Sequence, residues 1–194
     1  MRIIGGAVGG RRIRAPHGVS TRPTSDKVRG ALFNILGPPG EGARVLDLYA
    51  GAGALGLEAL SRGAAHATFV DKDGGAVRCV EENAVSLGLG ERVRVQRGEA
   101  VPVLGRLARA CERFTWVFID PPYASDEAMR ALAQLGQPPA PLLDDDAVVV
   151  VEHDRRHAPD DAYGALARAD RRRYGDTEIS FFRRAASAEP GAPR

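Results

Sequence analysis

Asp47-Leu-Tyr-Ala-Gly51-Ala-Gly53-Ala-Leu-Gly56 joins a short apolar run, Arg44-Val-Leu-Asp-Leu-Tyr, to a stretch with helical spacing, Ala54–Arg62. A glycine-rich turn between a strand and a helix is the first crossover of an open α/β sheet. The glycines have GxGxxG spacing and let the backbone approach a ligand closely. Asp71 ends the next apolar run, Ala67-Thr-Phe-Val-Asp, 20 residues past Gly51, where it can accept hydrogen bonds from ribose hydroxyls. On spacing alone NAD fits this loop as well. What separates the readings is Asp47, four residues before the first glycine, whose carboxylate is expected to face the ligand in the mouth of the loop. It would repel a pyrophosphate there and match S-adenosylmethionine, which has no phosphate and presents an ammonium and a sulfonium. The sequence has no GKS or GKT, so the phosphate loop of NTPases is excluded.

Outward from the loop, Val93-Arg-Val-Gln, Phe114–Asp120 and Ala147–Glu152 read as further strands, and most of these runs are nearly continuously apolar, as in a parallel sheet covered on both faces. Gly75–Leu87, Ala100–Cys111 and Asp126–Leu135 carry apolar residues at helical spacing, for example Val77, Val80, Ala84 and Leu87. After the fifth strand, Tyr163–Arg173 and Glu178–Arg183 flank Tyr174-Gly-Asp-Thr177 and predict an antiparallel hairpin. Before the first strand, Ser25-Asp26 can cap a helix through Val28, Leu32 and Leu36 that Gly37-Pro38-Pro39-Gly40 ends. Residues 1–24 read as a strand-and-loop arm. The expected fold is α/β, one domain over residues 1–184, with a small, polar tail at 185–194 expected to be disordered.

The chain has 194 residues, of which 44% are hydrophobic and 27% charged, which suits one globular domain. No apolar run reaches the roughly 18 residues of a membrane span, and the N-terminus has no signal-peptide pattern, so a cytoplasmic protein is expected. Cys79 and Cys111 lack metal-ligand spacing and read as packed thiols; His153 and His157 enclose no HExxH glutamate, so no metal is expected. Residues 1–30 hold seven cations against Asp26 alone, a local +6 that leaves −4 for the rest of a chain of net charge +2. Such a cationic front end fits a polyanionic partner. Arg171-Arg172-Arg173 receive no role, and Asp144-Asp145-Asp146 read as an exposed turn before the fifth strand.

The fourth strand ends Ile119-Asp120-Pro121-Pro122-Tyr123, at the edge of the sheet where ligands bind. Two prolines remove two backbone donors and stiffen the turn, leaving the Asp120 carboxylate and the main-chain carbonyls as fixed acceptors suited to an exocyclic amine. Asp120 and the Pro121 carbonyl are expected to hold the amine while Tyr123 stacks on the base, and the methyl group passes in line from sulfur to nitrogen. Glu99, after the third strand, is expected to accept from the adenine amino group with Ala100 beside it; interaction of Glu99 with its helix dipole is the alternative.

These residues resemble the Rossmann-like S-adenosylmethionine-dependent methyltransferases. With Arg2-Ile-Ile-Gly-Gly, Arg22-Pro-Thr-Ser-Asp-Lys-Val-Arg-Gly-Ala-Leu-Phe-Asn-Ile-Leu36, Leu46–Gly63 and Tyr174-Gly-Asp-Thr177, the chain is similar to the bacterial 16S ribosomal RNA guanine-N2 methyltransferase family over residues 1–184. Tyr49, Ala52 and Glu99 stand where Phe, Ser and Asp are commoner in that family. The resemblance implies a mostly parallel, seven-stranded sheet with a C-terminal antiparallel hairpin, helices on both faces, and a short N-terminal basic arm and helix. It implies cofactor contacts at Asp47, Tyr49, Ala50, Gly51, Gly53, Asp71, Lys72, Glu99 and Ala100, and amine-holding roles for Asp120, Pro121, Pro122 and Tyr123. Arg11, Arg12 and Arg14 would position RNA phosphates, with Arg22, Lys27 and Arg29 nearer the pocket; intramolecular pairing is the alternative for Arg22 and Lys27. The implied partner is 16S ribosomal RNA or the small ribosomal subunit, met by a monomer. The alternatives are an amino-methyltransferase for adenine in DNA or for a protein glutamine, and a non-catalytic RNA-binding assembly factor.

Overall fold

The computed structural model describes residues 1–16, 26–122 and 125–185. Helix α1 (Asp26–Leu36) precedes β1 (Arg44–Leu48), α2 (Ala54–Ser61), β2 (His66–Asp71), α3 (Gly74–Leu87), β3 (Val93–Arg97), α4 (Ala100–Arg109), β4 (Phe114–Ile119), α5 (Glu127–Leu135), β5 (Leu143–Asp154), β6 (Ala162–Tyr163), β7 (Leu166–Tyr174) and β8 (Thr177–Arg184). They build one sheet in the order β3-β2-β1-β4-β5-β8-β7-β6, parallel from β3 to β5 and antiparallel beyond.

Alternation along the strands divides the core between two faces. Val45, Phe69, Trp116, Phe118, Val150 and Phe181 pack under α1, α2, α3 and the N-terminal arm. Leu46, Leu48, Val70, Val117, Val149 and Val151 pack under α4 and α5. Residues 1–13 form a narrow antiparallel loop, with Ile3 N–H donating to Arg11 O at 2.9 Å and Gly10 N–H to Ile3 O at 2.8 Å; Ile3 and Ile13 are buried in the first face.

Two sequence expectations need correction. The run expected as a single strand over Tyr163–Arg173 is broken at Gly164, whose φ of +57° reverses the chain. The result is β6 and β7, and the sheet has eight strands rather than seven. Asp144–Asp146 lie not in a turn but in a bulge inside β5, between the pairings Phe114–Leu143 and Trp116–Val148. Thr115 Oγ1 (3.0 Å) and Arg113 Nε (3.2 Å) donate to Asp144, and Arg184 Nη1 donates to Asp145 at 3.0 Å. Asp145 and Asp146 are exposed, as expected, and Asp144 is partly covered by these partners. Ala185 still donates to Ala165 O at 2.8 Å; the rest of the tail, and Ser25, lie outside the described residues.

Candidate active site

The parallel register brings the candidate residues to one edge. Leu48 pairs with Val70 on one side and Ile119 on the other, so the chain segments that continue into Tyr49, Asp71 and Asp120 emerge side by side. The glycine turn is pinned by backbone groups: Ala50 N–H donates to Val70 O at 3.0 Å, and Gly53 N–H to Ala50 O at 2.7 Å. Gly51 N–H donates to Asp71 Oδ2 at 2.9 Å, and Asp73 N–H to Asp71 Oδ1 at 2.9 Å, so Asp71 locks the turn to the end of β2. Tyr49 has φ +63°, a left-handed conformation costly for a side chain with a Cβ. Gly56 is glycine for a packing reason, since a Cβ there would sit 2.3 Å from the Phe69 ring.

A cleft open to solvent runs along this edge and is lined by Tyr49, Asp71, Lys72, Glu99, Ala100 and, from α5, Glu127 and Arg130. Glu99 precedes α4 and its side chain makes no capping hydrogen bond. The two α5 residues escaped the sequence reading because they sit on an amphipathic helix read as packing. Their signal was position: α5 follows the Pro-Pro turn and folds back over the strand ends. Lys72 Nζ pairs with Glu127 Oε1 at 3.2 Å, and Tyr49 Oη donates to Glu127 O at 3.2 Å, which fixes α5 across the cleft. Burial, with Glu127 and Glu99 nearby, pushes the Tyr49 phenol well above its ordinary range.

Asp47 is not in the mouth of the loop. It is 2% exposed, and its Oδ2 accepts from Gly56 N–H at 2.9 Å, tying β1 to the start of α2. Burial, aided by the Asp71 charge and opposed by the Gly56 hydrogen bond, pushes its carboxyl up to about 8. Burial thus favours the neutral acid over the carboxylate at neutral pH. The sign of the linkage follows: between the unfolded value near 4 and the folded value, the folded chain holds a proton that the unfolded chain releases, so stability falls as pH rises. Asp47→Asn, isosteric and always neutral, is expected to gain on wild type between pH 5 and 8, by at most about 1.4 kcal/mol per unit. Parallel melting curves of the two proteins across that range measure it; curves that keep a constant separation would mean that Asp47 titrates normally.

Asp120 follows β4 directly, Pro121 is half-buried and Pro122 exposed, with Ser125 Oγ donating to Pro122 O at 2.9 Å; Tyr123 lies outside the described residues. By register, Glu152 of β5 stands next to Asp120 on the face under α1, a buried carboxylate that the apolar reading of that strand passed over.

The basic residues divide. Arg29 cannot meet RNA: its side chain is fully buried, with Nη2 donating to Asp26 Oδ1 at 3.0 Å and to Arg2 O, and Nε 3.9 Å from Glu58 Oε2. The sequence reading set the inward face of α1 by Val28, Leu32 and Leu36, whereas Arg29 shares the buried face with Leu32 and Phe33. Arg11 donates to Ser86 O and to Leu87 O (3.1 Å) at the C-terminal end of α3. Arg12, Arg14 and Lys27 are exposed, Arg14 lying 3.5 Å from Glu82. Arg22 lies outside the described residues. Arg171 and Arg172 are drawn to Glu178 (3.6 Å) and Asp170 (2.8 Å). His153 is buried and hydrogen-bonded to Ser180 Oγ at 2.9 Å, its pKa lowered chiefly by burial. Among the described residues no helix is long and apolar enough to cross a membrane.

The strand order, with its antiparallel end and a glycine turn at the tip of the first strand, is that of a Rossmann-like methyltransferase. The solved structure of yhhF from Escherichia coli superposes with a TM-score of 0.80 at 32% identity, covering 96% of this chain and 99% of that one. The Ribosomal RNA small subunit methyltransferase D of Escherichia coli (strain K12) is 39% identical over 155 residues, 78% of this chain and 74% of its own length. YlbH of Bacillus subtilis (strain 168), named as a candidate rRNA methyltransferase, is 39% identical over 184 residues, 95% of this chain and 99% of its own. The chain belongs to the family described as Conserved hypothetical protein 95, whose model matches residues 1–183.

Proposed function

We propose that the protein transfers a methyl group from S-adenosylmethionine to the exocyclic N2 amine of a guanine in 16S ribosomal RNA, within small-subunit particles. The observation that carries this reading is the adjacency, on one sheet edge, of the cleft lined by Tyr49 and Asp71 and the Asp120-Pro121 end of β4. The ribosomal RNA small subunit relative supports the substrate class. The choice of guanine N2 rests on the sequence resemblance.

The cleft residues fit the cofactor. Asp71, Glu99 and Glu127 offer acceptors for hydroxyls and an amine, and a Cβ on Gly51 would meet nothing within 4 Å, so a ligand can approach that backbone. Asp47 acts in this reading by holding the loop rather than by facing the ligand, so the preference over a pyrophosphate coenzyme shifts to the carboxylates that line the cleft. Bound S-adenosylmethionine would supply an electrophilic methyl group on its sulfonium, leaving as S-adenosylhomocysteine when the S–C bond breaks, and the methylated nitrogen would release one N–H proton to water. Asp120 and the Pro121 carbonyl accept the two N–H groups of the amine and favour its pyramidal form, Tyr123 stacks on the base, and the arm cations Arg12 and Arg14 hold phosphates. A paired or stacked guanine has to leave its helix to reach this edge.

The test is incubation of small subunits from a methylation-deficient strain with labelled S-adenosylmethionine, followed by nucleoside mass mapping. Label in N2-methylguanosine of 16S RNA is expected. Label in another nucleoside, or in protein, would reassign the acceptor, and no label with any acceptor would favour a non-catalytic assembly factor.

A further inference from the structure

The arm and the glycine turn share one side chain. Asn83, on α3 and 2% exposed, accepts from Arg14 N–H at Oδ1 (2.8 Å), and its Nδ2 donates to Arg14 O (3.0 Å) and to Ala52 O (3.0 Å). Ala52 is the middle residue of Gly51-Ala52-Gly53. Both hydrogens of the amide and one of its acceptor positions are thus used on backbone groups, and Cys79 Sγ is a further neighbour of Nδ2 at 3.6 Å. Cys79, one helical turn earlier, also reaches Arg14 O, at 3.3 Å. The side chain completes Arg14 as a neighbouring strand would, while its second N–H fixes the direction of the Ala52 carbonyl. A buried amide left unsatisfied is costly, so the three bonds stand or fall as a set.

The other end of the arm is tied to the same turn by another route. Ile4 and Gly5 N–H donate to the Glu58 carboxylate at 2.6 and 2.9 Å, and Ala7 N–H donates to Ser61 O at 2.7 Å. Glu58 and Ser61 belong to α2, whose N-cap is Gly53. The two anchorages of the arm thus lie on the glycine turn itself, through Ala52, and on the helix that follows it.

We infer that Asn83 is a positioning residue that transmits occupancy of the glycine turn to the basic arm, so that the donor-bound enzyme presents the arm to the RNA in one placement. This rests on the reading of the cleft as a donor site. Linkage makes the effect reciprocal: if cofactor steadies the arm, a partner that steadies the arm tightens the cofactor by the same factor, in the range of about 5- to 150-fold for typical couplings.

Hydrogen exchange on the full chain, with and without S-adenosylhomocysteine, tests it. In wild type the ligand is expected to slow exchange by about fivefold or more both in peptides covering 51–53 and in peptides covering 10–14. In Asn83→Ala the first protection should remain and the second should vanish. A merely structural Asn83 would raise arm exchange equally with and without ligand and leave the ligand-induced difference intact, which would overturn the assignment. So would wild-type protection confined to 51–53, a result that leaves the donor site standing and decides the matter even if the variant does not fold. Protection in neither segment at saturating ligand would remove the donor-site reading and this inference together.

Discussion

Asp120→Ala is expected to reduce methyl transfer to 16S RNA by roughly a thousandfold while leaving affinity for S-adenosylhomocysteine within about twofold, because preorganised hydrogen bonds to a reacting group account for losses of that order. The loss should fall on kcat more than on KM, since base stacking and phosphate contacts remain available to bind the RNA. Asp120 continues β4, beside the glycine turn, and does not belong to the lining of the cleft that would hold the donor. Asp120→Asn, which keeps one carbonyl acceptor and loses the charge, should fall between the two. Single-turnover transfer with each protein, alongside calorimetric titration of S-adenosylhomocysteine, separates chemistry from binding. A kcat for Asp120→Ala within threefold of wild type would show that this carboxylate does not hold the amine.

The largest effect on stability is expected at Glu58. Its fully buried carboxylate accepts from Arg62 Nε at 2.7 Å and from the Ile4 and Gly5 amides, and it lies 3.9 Å from Arg29 Nε. Arg29 Nε and Nη1 have no hydrogen-bond partner among the described residues, so the Glu58 charge is the compensation closest to that part of the buried guanidinium. Removing one member of a buried ion pair leaves an uncompensated charge, which costs about 3–5 kcal/mol. For a chain of this size Glu58→Ala should therefore lower the Tm by roughly 10 °C. The arm should come loose before the sheet melts, because two of its anchoring amides lose their acceptor, and limited proteolysis should cut within residues 1–14 at temperatures where wild type is intact. Glu58→Gln keeps the acceptor oxygen and should recover part of the loss. A shift of less than about 2 °C for the alanine variant would mean that Arg29 is neutralised by other groups.

The sheet was legible because its signals are local. Apolar runs such as Val148–Val151 and the stripe Val77, Val80, Ala84, Leu87 report burial on both faces or on one, and GxGxxG reports a turn that needs positive φ, observed at Gly51 (+53°) and Gly53 (+78°). The first and fourth strand tips could be placed on a common edge from strand alternation alone. Misplacement came where a polar residue's role depends on what packs over it. Asp47 was read as a ligand-facing charge and is a covered anchor for Gly56 N–H. Arg29 was read as an RNA contact and is the buried partner of Asp26 and Glu58. Glu58 and Asn83 drew no notice, since a carboxylate or an amide on an amphipathic helix looks the same in sequence whether it meets water or a distant backbone.

Taken alone, the amino-acid order determined the α/β class, the succession of strands and helices as far as β5, the glycine turn and the two strand tips that share one edge, because each depends on residues a few positions apart. Only the tertiary structure decided the burial of Asp47 and of Arg29, the part α5 takes in the cleft and the bonds that join the arm to the glycine turn. Those depend on groups separated by many residues, as with Gly5 and Glu58 at 53 positions or Arg14 and Asn83 at 69, which periodicity and spacing do not encode.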